Sequence, residues 1–302
     1  MKSDKLQTPD EAFLNLPHWP YEPNYVEDLE GFEGLRIHYI DVKKGDSPTN
    51  HTFLCLHGQP TWSYIYRKMI PVFLESNARV IAPDFLGFGR SDKPTNENIY
   101  TYDFHRNMLL ALIKRLKISN ITLVVQDWGG VLGLTLPMTM PERFSRLLIM
   151  NTVLPIGNKL SKGFEDWLSY SNSHPDLDVS RLMLRTTPIL TEIEAKAYDA
   201  PFPDIRYKAG VRKFPKLVMT KPWMDGVSIS QSALKFLKNE WTGKSFLAMG
   251  MKDSVLNPDI MKDLHSNIKN CPPALQIPEG GHFLQEWGNK IAKLALEYWS
   301  EF

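Results

Sequence analysis

The stretch Ile121-Thr122-Leu123-Val124-Val125 runs without a break into Gln126-Asp127-Trp128-Gly129-Gly130. Consecutive apolar residues of this length describe a strand buried on both faces, the pattern of a parallel sheet covered by helices. The residues that follow describe a tight strand-to-helix turn that lifts one side chain, here Asp127, above the sheet. Such a turn is crowded, and Gly129 and Gly130 supply the small residues it needs. An Asp after a strand is also a good helix N-cap, so this segment by itself does not decide between capping and chemistry.

Further strands are expected at Leu35–Ile40, Thr52–Leu56, Arg79–Ala82, Leu147–Met150, Ser245–Met249 and Ala274–Ile277. Between them, Thr101–Lys117 carries Phe104, Met108, Leu112 and Leu116 at helical spacing. Strands and helices in alternation predict an α/β fold, a mostly parallel central sheet flanked by helices. From 155 to 225 no strand-like run occurs, and Lys162–Tyr170, Val179–Arg185 and Thr191–Asp199 read as short helices, with Thr191 and Glu194 placed for a capping box. The expected division is a main domain of 1–154 and 226–302 and a helical cap of 155–225 over the C-terminal sheet edge, where open α/β sheets bind ligands. The first 30 residues, with four prolines, are expected to wrap the surface.

Composition narrows the function classes. The 302 residues hold 35 Lys+Arg against 34 Asp+Glu, a balance that argues against nucleic-acid or polybasic membrane-surface binding. No apolar run approaches the roughly 18 residues of a membrane span, and no secretion signal is visible at the start. Cys55 and Cys271 form no C-x-x-C pair, so neither a disulfide framework nor a thiolate metal site is expected, and the cytoplasm is the default location. No H-E-x-x-H, P-loop or dinucleotide fingerprint occurs, so neither metal nor cofactor is expected.

Two more segments favour chemistry at Asp127. His57-Gly58-Gln59-Pro60 follows the strand Thr52–Leu56, where backbone N–H groups of Gln59 and Trp128 can converge on one oxyanion. His57 itself is expected to fix that loop. Gly280-Gly281-His282-Phe283 follows Ala274–Ile277 and makes His282 the general-base candidate. His38 lies in a strand, and His18, His51, His105, His174 and His265 read as surface positions. The acid that orients the imidazole is expected at Asp253, after Ser245–Met249, because the rival position after Met150 holds Asn151, whose amide carries no charge. The order Asp127, Asp253, His282 is nucleophile, acid, base.

A carboxylate nucleophile attacking saturated carbon leaves an alkyl ester that water can reopen, whereas a Ser nucleophile would leave an ether. Halide departure needs only donors, and the indole N–H of Trp128 donates without accepting. Trp167 in the cap can supply a second donor; plain apolar packing is the simpler role for an isolated Trp, and a Trp beside the nucleophile, as Trp128 is, is less readily dismissed.

The chain resembles the haloalkane dehalogenases of the α/β-hydrolase superfamily with an Asp–His–Asp triad and two halide-binding tryptophans. The resemblance spans nearly the whole length and is carried by His57–Tyr64, Pro83–Asp92, Val124–Gly130, Ala200–Pro203, Gly210–Lys216, Gly250–Asp253 and Gly281–Phe283. It implies that Asp127, Asp253 and His282 are catalytic, that Trp128 and Trp167 hold the halide, and that Phe164, Phe214, Pro215 and Val218 line an apolar pocket. A small halogenated alkane and water are the implied reactants, halide a product, and the enzyme a monomer. Residue 59 is Gln where relatives carry Glu or Asn. Val131 is smaller than the Phe expected in a close relative, implying a roomier pocket that takes longer or brominated substrates. Two alternatives remain. An epoxide hydrolase would share Asp127 and His282 but needs cap tyrosines, for which Tyr170, Tyr198 and Tyr207 are available. A non-catalytic receptor of the same fold would not need the triad that is present here.

Overall fold

Eight segments pair into one sheet in the computed structural model, which describes residues 4–45, 49–159 and 161–300. They are β1 (Asn24–Val26), β2 (Ile37–Lys43), β3 (Thr52–Leu56), β4 (Arg79–Pro83), β5 (Ile121–Val125), β6 (Phe144–Met150), β7 (Lys244–Gly250) and β8 (Leu275–Ile277). Across the sheet the order is β1-β2-β4-β3-β5-β6-β7-β8. β2 is antiparallel to β1 and β4, and the other pairings are parallel. All residues of β3 and β5 are buried, as expected of central strands covered on both faces. The edge strand β1 falls within the segment expected only to wrap the surface. It is three residues long and too short to show a period.

The helices are α1 (Ile70–Glu75), α2 (Tyr102–Arg115), α3 (Trp128–Gly133), α4 (Leu136–Thr139), α5 (Lys162–Ser173), α6 (Val179–Thr186), α7 (Glu192–Lys196), α8 (Ala209–Leu217), α9 (Val227–Asn239), α10 (Pro258–Ser266) and α11 (Gly288–Ser300). Thr101 caps α2 by accepting the Phe104 N–H. The buried face of α2 is Tyr102, His105, Met108, Leu109, Leu112 and Ile113. Phe104 and Leu116, spaced by fours from Met108 and Leu112, flank that face, because four residues turn a helix about 40° too far per step. The same geometry corrects His105. It is fully buried rather than on the surface, stacked on Tyr100 and edge-on to Phe104 and Phe214, and burial lowers its pKa to about 3.

Between β6 and β7 the described part of 155–225 contains α5 to α8 and no strand. The capping box forms at α7, where Thr191 and Glu194 each bond the other's backbone N–H. α8 contains Pro215 in its interior. Among the described residues no helix is long and apolar enough to cross a membrane.

Candidate functional site

Asp127 sits between β5 and α3 with φ +50° and ψ −126°, a conformation that costs a non-glycine residue of order 1–3 kcal/mol. Neighbouring groups hold it there. Its N–H donates to the Asn151 carbonyl at 2.9 Å, and its own carbonyl accepts the Thr152 hydroxyl at 2.7 Å. Its side chain makes no capping bond to α3, so the simple N-cap alternative is not the arrangement found. Two glycines permit the close approach: a Cβ on Gly129 would lie 1.9 Å from the Leu56 carbonyl oxygen, and one on Gly58 2.5 Å from the Asp127 Cβ.

The loops after β3, β5, β7 and β8 bring the expected residues together. His282 Nδ1 lies 2.9 Å from Asp253 Oδ2, and His282 Nε2 lies 3.6 Å from Asp127 Oδ2. Burial opposes protonation of His282, but the Asp253 and Asp127 carboxylates outweigh it and raise its pKa to about 10. Burial conversely favours the neutral form of Asp253, and the His282 imidazole, the Asn151 amide and the Leu256 N–H together hold its pKa below the ordinary value. Val255 and Leu256 N–H groups donate to Asp253 Oδ1 at 2.8 and 3.0 Å.

Asn151, passed over as an uncharged side chain, donates to Asp253 Oδ2 at 2.7 Å and accepts the Gly250 N–H at 2.8 Å. Gln126 donates to the His282 carbonyl at 3.0 Å and in turn accepts from Gln285 at 3.2 Å. Neither role has a local sequence signal, since each partner is more than 90 residues away.

The Gln59 N–H donates to Asp127 Oδ1 at 2.8 Å. Of the two expected oxyanion donors only this one is bonded to the carboxylate; the Trp128 N–H makes no such bond. His57 is fully buried and holds its loop as expected, with Nδ1 2.7 Å from the Gly58 carbonyl and Nε2 accepting the Phe85 N–H at 2.9 Å.

Asp127, Asp253 and His282 face a cavity of about 340 Å³. Trp128 and Trp167 both line it, as do Phe164, Pro215, Val218 and Val131. Among the described residues neither of these two indole N–H groups has a protein acceptor, whereas Trp62 donates to the Ala197 carbonyl and Trp241 to the Ser245 hydroxyl. Phe214 departs from expectation. It is completely buried behind Trp128, ring centroids 4.8 Å apart, and supports that indole instead of lining the cavity. The phase of α8 turns Pro215 and Val218 inward and leaves residue 214 against Phe88 and His105. Arg185, Lys252 and Glu279, all exposed, complete the rim.

No tyrosine is among the described lining residues. Tyr198 is fully buried with its hydroxyl on Glu286, and Tyr170 packs beside Trp167 and His174. Glu286 belongs to a buried ion cluster that tests of local motif cannot reveal. Arg67 donates to both its carboxylate oxygens at 2.7 and 2.8 Å and to Glu194 of α7 at 3.0 Å. The cluster ties α7 to the turn that follows His282.

The family model for the α/β-hydrolase fold matches residues 51–289. The chain is similar to a haloalkane dehalogenase of Psychrobacter cryohalolentis, 41% identical over 97% of each chain, and to one of Mycolicibacterium paratuberculosis, 36% identical over 97% of each. Among solved structures it is similar to a haloalkane dehalogenase of Paraglaciecola agarilytica described as tetrameric, with a TM-score of 0.95 and 48% identity over 97% of this chain and 98% of that one. The chain is thus an enzyme of the α/β-hydrolase fold. Within that class, the chain belongs to the haloalkane dehalogenase family.

Proposed function

We propose that the enzyme hydrolyses small haloalkanes to alcohol, halide and a proton through an ester on Asp127, with 155–225 acting as the cap that closes the cavity. The observation that supports this best is the division of labour at one carboxylate. Oδ1 is held by the Gln59 N–H and Oδ2 lies towards His282, while two indole N–H groups with no protein acceptor among the described residues line the same cavity.

In the first step an Oδ2 lone pair forms the bond to carbon as the carbon–halogen bond breaks, and the halide leaves with its electron pair towards the Trp128 and Trp167 N–H groups. Esterification removes the negative charge of Asp127, one of the two anions that raise the His282 pKa. The imidazole then releases its proton to solvent more readily, and its Nε2, 3.2 Å from the Gln126 side-chain nitrogen, takes one from water. The hydroxide formed adds to Cγ of Asp127. The oxyanion on Oδ1 is stabilised by the Gln59 N–H and, once the ester has formed, by the Trp128 N–H at the start of α3. Collapse expels the alkoxide, which takes its proton from His282; the Asp127 carboxylic acid left behind passes its own proton to the imidazole, which restores both the carboxylate and the protonated His282.

Wild-type protein with 1-bromobutane is expected to release bromide and acid in equal amounts, and Asp127→Ala none. Hydrolysis of a simple epoxide in preference to bromobutane would support the rival chemistry, which the tyrosine-free lining disfavours. The expected monomer competes with the tetrameric arrangement of the Paraglaciecola relative; light scattering on the eluted protein separates the two.

A further inference from the structure

α8 carries a proline at residue 215, and proline has no N–H. The carbonyl four residues earlier, at Val211, therefore lacks the donor that a regular helix would give it. A buried carbonyl without a donor is costly. The missing donor comes from another part of the chain: the Gln59 side-chain amide donates to the Val211 oxygen at 2.9 Å, and Gln59 is only 4% exposed.

We infer that the Gln59 side chain is a positioning residue that replaces the helical hydrogen bond forbidden by Pro215 and thereby fastens the oxyanion loop to α8. The inference rests on the proposed role of the Gln59 N–H at Asp127. One residue makes both contacts, its backbone on the Asp127 carboxylate and its side chain on α8. α8 in turn supplies Pro215 and Val218 to the cavity wall and sets Phe214 against Trp128. The loop that stabilises the oxyanion and the wall that faces substrate are held in register by one amide. A carboxylate at residue 59 could serve only when protonated, because an ionised one accepts and cannot donate. An Asn would be one methylene shorter. In this chain the side chain therefore acts on the helix and not on the halide.

The test is a double-mutant cycle between Gln59→Met, which keeps length and loses the donor, and Pro215→Ala, which restores the helical N–H. In the Pro215 background Q59M is expected to lower the rate of ester hydrolysis about tenfold, the worth of roughly one hydrogen bond, with KM for bromobutane little changed. In the P215A background the same change is expected to cost less than about threefold, because Val211 already has its donor. Equal losses in both backgrounds would overturn the inference, as would a fall in bromide affinity that accounts for the whole effect. Hydrogen exchange gives a readout that does not need activity. The α8 amides are expected to exchange faster in Q59M and to be restored in Q59M/P215A; unaltered exchange in Q59M overturns the tether. Failure of the wild type to release halide would count against the proposed function and leave the exchange result intact.

Discussion

Asn151 and Asp253 share a hydrogen bond of 2.7 Å on the same carboxylate oxygen that faces His282. The amide thus braces the carboxylate that lies against the His282 imidazole. Asn151→Ala removes that bond and the one to the Gly250 N–H, and is expected to cost about 1–3 kcal/mol of stability together with a loss of kcat. Asn151→Asp keeps the size but sets a second anion beside Asp253, which raises the pKa of the pair. The acidic limb of the kcat profile is expected to move to higher pH in this variant, as followed by halide release across pH 5–9. An unmoved limb would mean that Asn151 does not act through Asp253.

Trp167 reaches the cavity from α5 while Trp128 reaches it from the turn that follows Asp127. Trp167→Phe keeps an aromatic surface and loses the N–H, so bromide affinity, read from quenching of the remaining indole fluorescence, is expected to weaken about tenfold. Unchanged affinity would reduce Trp167 to a packing residue.

Val131 lines the cavity just beyond the elbow and is 4% exposed. Val131→Phe adds volume at that wall, and kcat/KM for 1-bromohexane is expected to fall at least about tenfold more than for 1,2-dibromoethane, given that overpacking costs about 1–3 kcal/mol. Equal losses for the two substrates would show that residue 131 does not set length preference.

Glu194 joins α7 to Arg67. Burial raises its pKa, but the Thr191 N–H, Arg67 and Lys68 outweigh that and bring it from 4.5 down to about 2. A carboxylate depressed in the folded state contributes stability that is present above its unfolded pKa and lost as the pH falls through 4.5 towards 2. The Tm difference between wild type and Glu194→Gln is therefore expected to be largest near pH 7 and to shrink between pH 4.5 and 3. Parallel curves would show that the carboxylate charge is not what holds α7.

The parts of this molecule that show in its sequence are those whose signal is local. The strand, the crowded turn and two glycines around Asp127 lie within ten residues, and the loops bearing Asp253 and His282 each follow a recognisable strand. Contacts between distant residues leave no such trace. Asn151 reads as an uncharged side chain at a rival acid position and turns out to hydrogen-bond Asp253, while Arg67, Glu194 and Glu286 carry no pattern that joins them. Phe214 shows the limit of assignment by segment. It lies beside the lining residue Pro215, yet one step around the helix places it behind Trp128. α8 itself is masked by Pro215, which by local rules ends a helix and here is accommodated by a donor from residue 59.

The covalent ester is the centre of the account, and His282→Gln offers the most direct view of it, because it keeps a donor for Asp253 while removing the base. Treated with 1,2-dibromoethane and analysed by intact mass and peptide mapping, this variant is expected to accumulate one bromoethyl group on Asp127. A folded variant that stays unmodified, or carries the group on any other residue, would contradict nucleophilic attack by Asp127.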